Sequence, residues 1–369
     1  MTPLYDVIIV GGGPAGCATA IALHNLGINN TLVIEASDYT APRIGESIPP
    51  DSRQLLEQLN IWQSFNAQNH SPCLGSYSSW GSKDLGFNDY LFNPQGHGWH
   101  LDRTAFDKFL ALEVQKRGIA LLKNSQFSSL NCEQHQYPIR VTLGNKAQLR
   151  SRFIVDASGR NAKVARQFNA KSKVEDQLVA VSAYYDSTAV AAAKAYKQMT
   201  LLEATDYGWW YMAHLPNNKV VVTVASEPSE VKNMRLKERD AWQLALLKTQ
   251  HLSPLIMQTM PDKLHTWVAQ SAIMDPPAAQ HWLTVGDAAS SFDPISSQGI
   301  YKALKNGIDA APAIAAWLNN NSAALSQYRD DIGNQFIHYL AQKAYYYNTE
   351  QRWPQSPFWQ KRQQIPLRE

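Results

Sequence analysis

Tyr5-Asp6-Val7-Ile8-Ile9-Val10-Gly11-Gly12-Gly13-Pro14-Ala15-Gly16 is the stretch whose reading decides the fold. The apolar run over 5–10 predicts a strand, and Ala15 to Leu26 predicts the helix after it. Between them, the spacing Gly11-x-Gly13-x-x-Gly16 suits a tight turn, a close backbone approach to a pyrophosphate, and packing of helix against strand. Pro14 and Ala15 open the helix, whose unpaired N–H groups and positive dipole end attract phosphate. Gly27 ends it, and Thr31-Leu32-Val33-Ile34-Glu35 reads as a second strand whose terminal carboxylate can bind a ribose diol. A glycine-rich turn without a ligand leaves Glu35 unexplained. Strand, turn, helix, strand and acid in that order specify a dinucleotide site.

Two later segments identify the dinucleotide as FAD. Trp282-Leu283-Thr284-Val285-Gly286-Asp287-Ala288-Ala289 is an apolar strand running into Gly-Asp, with Pro294, Gly299 and Ile300 beyond it. It resembles the second FAD signature of glutathione-reductase-type flavoproteins. That resemblance implies that Asp287 binds the ribityl chain and that a helix starting near the glycine points its N-terminus at the isoalloxazine. A positive helix end there would stabilise the charge of reduced flavin. Phe153-Ile154-Val155-Asp156-Ala157-Ser158-Gly159-Arg160 resembles the central strand of flavin hydroxylases. No His or Cys in these motifs demands attachment to the ring, since Cys17 lies beside the pyrophosphate turn, so the FAD is expected to be non-covalent.

The chain has 369 residues, 44% of them hydrophobic, enough for a large core in two lobes. Lys plus Arg number 34 against 31 for Asp plus Glu, with no long basic run, which argues against nucleic acid as the main partner. No run of about 18 apolar residues predicts a membrane span. Cys17, Cys73 and Cys132 are odd in number and widely spaced, and read as free thiols in a reducing compartment with no metal site. With the first strand opening almost at Met1, the expectation is a cytoplasmic protein without a leader.

The resulting expectation is an α/β fold: a glutathione-reductase-type FAD-binding Rossmann domain, an antiparallel-sheet substrate domain and a C-terminal helical segment. The FAD domain is read as discontinuous, over 1–75, 98–175 and 267–320. The Trp99 to Asp107 stretch opens a helix to Arg117 with Phe106, Phe109, Leu110, Leu112 and Val114 on its apolar face, and Gly118 caps it. The substrate domain takes 76–97 and 176–266, with strands at Leu178–Tyr185, Tyr196–Glu203, Trp209–Leu215 and Val220–Ala225, then a helix from Arg235 to Thr249. Residues 321–369 are rich in Gln, Asn and aromatics, among them Phe336, Tyr339, Tyr345, Tyr346, Tyr347, Trp353, Phe358 and Trp359. That segment reads either as a helix laid over the FAD domain or as a partner-binding surface.

On Gly11–Gly16, Gly45-Glu46-Ser47, Trp99–Asp107, Asp156–Arg160 and Gly286–Gly299, the chain resembles the flavin-dependent tryptophan-halogenase-like monooxygenases over nearly its whole length. Ser79-Trp80-Gly81-Ser82, Gly98-Trp99-His100-Leu101-Asp102-Arg103 and Gly208-Trp209-Trp210-Tyr211 are similar to a subgroup, the LodB/GoxB-like flavoproteins that mature quinone-cofactor amine oxidases. The resemblance implies that Arg43, Glu46 and Ser47 contact the cofactor, and that Arg103 reaches the FAD phosphates with its fork of donors. For Arg103 the alternative is an ion pair with Asp107 one helical turn away. Trp80, Trp99, Trp209 and Trp210 could form an aromatic wall beside the flavin. No catalytic dyad stands out, and His97, His214 and Glu46 are the candidate proton donors or acceptors, His100 a further one.

Halogenases of this family read roughly G-W-x-W-x-I-P, whereas Gly208-Trp209-Trp210-Tyr211-Met212 has another spacing. They also use a lysine to carry hypohalous acid, and Gly75–Trp80 contains none; Lys83, beyond it, reads as a solvated loop residue. Reduced flavin and O₂ then deliver oxygen directly to an electron-rich indole. With one glycine fingerprint in the chain, electrons come from NAD(P)H visiting the flavin or from a separate flavin reductase. The leading expectation is hydroxylation of a tryptophan in a quinoprotein oxidase precursor during quinone cofactor (cysteine tryptophylquinone) biogenesis. The alternatives are hydroxylation or halogenation of a small aromatic, and a flavin-stabilised chaperone for the precursor. With no lysine in Gly75–Trp80, free tryptophan incubated with the protein, reduced FAD, O₂ and chloride is expected to give no chlorinated product by mass spectrometry; chlorotryptophan would promote Lys83 to a catalytic role.

Overall fold

Leu4–Val10 (β1) ends in four buried apolar residues and runs straight into the glycine turn, so the strand carries the turn at its carboxyl end. The computed structural model describes residues 3–132, 139–189, 196–256 and 259–363. After β1 come Pro14–Asn25 (α1), with Pro at its start, and Thr31–Ile34 (β2). The crossover beyond them contains Ser47–Ile48 (β3), Ser52–Gln58 (α2), Trp62–Asn66 (α3) and Ser71–Cys73 (β4). Gly75–Ser79 (β5) and Gly86–Asp89 (β6) form a hairpin, and Gly98–His100 (β7) leads to Arg103–Lys116 (α4). Asp102 caps α4 by accepting from the Ala105 N–H at 2.9 Å. Ala120–Leu122 (β8), Phe127–Asn131 (β9), Ile139–Leu143 (β10) and Gln148–Asp156 (β11) complete the first half.

The second half holds Lys171–Val174 (β12), Val179–Asp186 (β13), Met199–Thr205 (β14), Gly208–Leu215 (β15) and Lys219–Ser226 (β16). Helices Pro228–Asn233 (α5) and Arg239–Leu246 (α6) precede Leu264–Val268 (β17), Ala272–Asp275 (β18), Ala278–Ala279 (β19), Trp282–Thr284 (β20) and Ser290–Ser291 (β21). Gly299–Leu318 (α7), Ala323–Thr349 (α8) and Pro357–Gln363 (α9) end the chain's helical tail.

The first sheet runs β19-β20-β11-β1-β2-β8, parallel from β20 to β8, with β10 antiparallel to β11 and β9 antiparallel to β10. The order places the three motif-bearing strand ends, Val10, Ile34 and Asp156, side by side at one edge, where ligands of open α/β sheets sit. Helix α1 lies directly on α7. A side chain at Gly307 of α7 would begin 2.7 Å from the Ala15 carbonyl oxygen and 2.8 Å from the Ala18 Cβ, so only glycine permits this approach.

The second sheet, β17-β13-β16-β15-β14-β5-β6, is antiparallel except where β5 pairs in parallel with β14, a departure from the all-antiparallel expectation. Its strands alternate. Val181, Ala183, Tyr185, Leu201, Trp210, Met212, Val220, Val222 and Val224 pack under α5 and α6, with Trp242 at the centre. The opposite parity, including Tyr184, Trp209, Tyr211 and Trp267, turns toward the first domain.

Other expectations shift. The helix foreseen over Arg235–Thr249 is shorter, Arg239–Leu246, because α5 ends just before it: Arg235 takes a left-handed backbone (φ 56°) and the Leu236 N–H closes back on the Val231 carbonyl at 2.9 Å. Strand β14 starts at Met199 rather than Tyr196. On α4, Leu112 is 54% exposed while Phe106, Phe109, Leu110 and Val114 are buried. The aromatic tail spans both units: Leu325, Tyr328 and Ile332 enter the core around α1, whereas Tyr347, Phe358 and Trp359 pack on the second sheet. Among the described residues no helix is long and apolar enough to cross a membrane.

Gly307→Val is expected to destabilise the protein by about 1–3 kcal/mol through overpacking against α1. Denaturant unfolding would measure it, and a variant as stable as the parent would contradict the close contact.

Candidate FAD and substrate site

At the head of β1, Gly11 has φ 110° and lies so near the β11 turn that a Cβ would fall 2.1 Å from the Ala157 carbonyl oxygen. The Gly12 N–H donates to Glu35 Oε2 at 2.7 Å, and the Ser37 N–H and hydroxyl donate to Glu35 Oε1 at 2.8 and 2.6 Å. Glu35 is thus pinned at the end of β2, facing the turn, with Arg43 Nη2 3.6 Å from Oε1. Arg43 also lies 3.5 Å from Asp107. The start of α1 at Gly13 and Pro14 and the start of α7 at Gln298 and Gly299 both lack a side-chain cap, and their free amides converge on one cleft. Space at Gly13 and Gly299 is open where a side chain would begin, and the Ser296 hydroxyl and Arg103 Nε are buried with no hydrogen-bond partner. These features fit FAD, for which Gly11–Gly16 could take the pyrophosphate, Glu35 the ribose, and Gly45–Ser47 with Pro294–Ile300 the flavin.

Arg103 stands at the start of α4 with Nη2 3.1 Å from Asp107 Oδ1, and its Nη1 donates to the carbonyls of Ile44 and Gly45. The ion pair weighed from the sequence is therefore present, and the same guanidinium braces the Gly45 turn. Asp287 lies in a single 3-10 turn, Gly286–Ala288, while the long helix starts later, at Gly299. Its carboxylate is 2.8 Å from Lys302 Nζ and 3.4 Å from Arg160 Nε. Burial opposes its charge, but Lys302 and Arg160 outweigh that and hold it below the usual carboxylate range.

The Gly45–Ser47 turn meets the second sheet through two tyrosines. Tyr184 of β13 donates to Glu46 Oε1 at 2.8 Å, the Gly45 N–H donates to Glu46 Oε2 at 3.0 Å, and Tyr211 of β15 shares a 2.7 Å hydrogen bond with Ser47. Burial pushes the Glu46 carboxyl above its ordinary range, with Tyr184 and Arg103 opposing. Ile44, Tyr211, Trp267 and Ile295 pack together here, and the Trp267 indole N–H is buried without a partner.

The four tryptophans do not form one wall. Trp209 and Trp210 are neighbours on a strand, so they face opposite sides of the sheet. Trp210 is under the helices, 5.0 Å from Trp242, with its N–H on Tyr207. Trp99 sits in the core between Trp62 and Phe65. Trp209 and Trp80 are brought together around Tyr347 and Trp359. His97 bonds the Gly98 carbonyl at 2.7 Å, and His214 shares the strand parity of Trp210; no hydrogen bond joins either to Glu46. His100 is fully buried with neither ring nitrogen bonded, and burial pushes it down to about 4. The Lys83 side chain is exposed, its carbonyl accepting from His251.

Sequence reading missed Tyr184, Trp267 and Asp293. The first two emerge from alternation, being on the parity of Trp209 and Tyr211, while Asp293 gains its setting from a helix far along the chain. Arg103→Ala is expected to cost about 2 kcal/mol in the FAD-free protein by stranding Asp107 and loosening the Gly45 turn, and to weaken FAD binding as well. Calorimetry of the FAD-free protein and FAD titration check this; an unchanged melting temperature would remove the bracing role.

Comparison with known proteins agrees with this geometry. The family described as an FAD binding domain matches residues 4–338. LodB of Marinomonas mediterranea, named as an FAD-dependent oxidoreductase, is 30% identical over 363 residues, covering 97% of this chain and 96% of LodB. The myxobacterial chondrochloren halogenase CndH superposes with TM-score 0.90 at 19% identity, over 99% of this chain and 87% of CndH. QhpG, a peptidyl tryptophan dihydroxylase essential for tryptophylquinone cofactor biogenesis, superposes with TM-score 0.74 at 20% identity, over 99% of this chain and 80% of QhpG. These two structures speak for the fold alone. With a dinucleotide cleft built by its own motifs and an end-to-end likeness to LodB, the chain belongs to the FAD-binding flavoprotein oxidoreductases of the LodB type.

Proposed function

We propose that this protein is an FAD-dependent monooxygenase that hydroxylates a tryptophan side chain of a partner polypeptide, a quinoprotein oxidase precursor. The observation that carries the reading is the sheet face over the Gly45–Ser47 turn. It is lined by Tyr184, Trp209, Tyr211 and Trp267, and the lysine on its strand parity, Lys219, lies at the outer end of β16 paired with Asp186 at 2.6 Å. The likeness to LodB over both chains supports FAD-dependent oxidoreductase chemistry, and the fold is one that a peptidyl tryptophan dihydroxylase, QhpG, also adopts.

Bound FAD, reduced by NAD(P)H or by a separate flavin reductase, supplies the oxygen-transfer chemistry with O₂. The chain's own residues do the rest. Glu35, the Gly11–Gly16 turn and Asp287 would hold the cofactor, and Arg103 keeps the Gly45 turn in place. The aromatic face excludes water and presents flat surfaces against which an indole can stack. Glu46 and Tyr184, hydrogen-bonded at 2.8 Å within that apolar wall, are the pair placed to hold a proton at the flavin edge. A polypeptide substrate gains binding energy away from the reacting ring, which orients the indole at no cost to the site itself.

Co-expression with an unmodified quinoprotein precursor is expected to add mass to that precursor in steps of about 16 Da per oxygen atom. Gly13→Val and Asp287→Ala variants, weakened in FAD binding, should add little or none. Efficient hydroxylation of free tryptophan with no precursor binding would overturn the reading in favour of a small-molecule enzyme. Precursor binding with no added mass would favour the chaperone.

A further inference from the structure

We infer that Tyr347, on the C-terminal helix α8, is a positioning residue for the flavin-side turn Asp293–Gly299, so that the tail is part of the cofactor site. The Tyr347 ring is fully buried, its hydroxyl donates to Asp293 Oδ2 at 2.7 Å, and it accepts the Trp209 indole N–H at 3.0 Å. Asp293 Oδ1 caps the turn by accepting the Ile295 N–H at 3.0 Å. The Asp293 N–H donates to Tyr339 of the same helix at 2.7 Å, and Tyr339 in turn shares a 2.6 Å bond with Ser271. Two tyrosines of α8 therefore grip both the backbone and the side chain of one residue.

The segment just after Asp293 faces the cleft. Pro294–Ser296 is a short 3-10 turn, Ser297 is left-handed (φ 51°), and α7 begins at Gly299 with no side-chain cap. Ile300 lies 3.9 Å from the point where a side chain at Gly45 would start, so this helix end abuts the turn that carries Glu46. Moving Asp293 therefore moves the amides and the Ser296 hydroxyl that line the flavin end of the cleft. Trp209 couples the same hydroxyl to the sheet face proposed to take the indole. Burial and the neighbouring Asp176 weaken the acidity of Asp293, opposed by Lys343, so its far oxygen depends on the Tyr347 donor. This inference uses only FAD binding and stands whether or not the substrate is a tryptophan.

The test is Tyr347→Phe in the full-length, FAD-loaded protein, which keeps the ring and removes the hydroxyl. The expected result is about a tenfold weaker FAD affinity, as for loss of one hydrogen bond to a charged group, with a changed visible spectrum and midpoint potential of the flavin that remains bound. Asp293→Asn, which keeps the Ile295 cap but presents an amide N–H donor where the Tyr347 hydroxyl needs an acceptor, should lose about as much as Tyr347→Phe, whereas Asp293→Ala should match or exceed both. The double variant Asp293→Ala/Tyr347→Phe should be no worse than Asp293→Ala alone. Tyr345→Phe, on the exposed side of the same helix, should change nothing. A Tyr347→Phe protein with unaltered flavin spectrum, potential and FAD affinity, and only a lower melting temperature, overturns the inference. So do losses that add in the double variant. Should Asp293→Ala fail to fold, Asp293→Asn takes its place in the double variant, where the losses should again not add.

Discussion

The approach of α7 onto α1 at Gly307 and Ala15 is the constraint on which the rest depends. With the two helix backbones this close, their amino ends open into the same cleft, one above the Gly11–Gly16 turn and the other beside Gly45 and Glu46. Two uncapped helix ends in one place give a strip of unpaired donors with the polarity that an anionic, extended cofactor needs. Three charged side chains are arranged around that strip: Glu35 at the end of β2, Arg103 at the start of α4, and Asp287 just before α7. A wider separation would still leave a parallel sheet and would lose the cleft.

The second constraint is the pleat of the seven-stranded sheet. Its two faces carry different tasks, one burying valines and Trp242 beneath α5 and α6, the other offering aromatic rings and tyrosine hydroxyls to the first domain. Tyr184 and Tyr211 join that face to the Gly45–Ser47 turn through hydrogen bonds that leave both hydroxyls and Glu46 partnered. A buried carboxyl is tolerated there because donors surround it.

Buried charge holds the pieces in register. Lys302 with Asp287, Lys343 with Asp176 and Arg362 with Glu227 each join elements from different parts of the chain. Arg362 further reaches the Gln177 carbonyl at 2.9 Å and lies 3.9 Å over the Phe358 ring, tying α9 to the start of the second sheet. Pairs of this kind add little net stability over apolar packing, but removing one partner is costly, so they specify one docking of the tail. Through Asp176, Lys343 and Asp293 that docking extends to the flavin-side turn.

The sequence by itself determined the dinucleotide unit, since strand, glycine turn, helix and acid are local and each step is set by backbone geometry within a few residues. It also specified the Gly-Asp segment, the Asp156 turn and the family, because motif spacing survives divergence. The late start of the helix at Arg239 and the parallel β5–β14 pairing were not legible, since a left-handed Arg235 and a partner some 120 positions away leave no local pattern. The tryptophans show the limit most plainly. Composition marked Trp80, Trp99, Trp209 and Trp210 alike, but strand parity sent Trp209 and Trp210 to opposite faces, and packing put Trp99 in a different core. Tyr347 and Asp293 meet across 54 residues of chain. Only the tertiary structure decides such a contact, because it depends on where α8 crosses the sheet, and that is settled by buried surface and charge collected from the whole molecule.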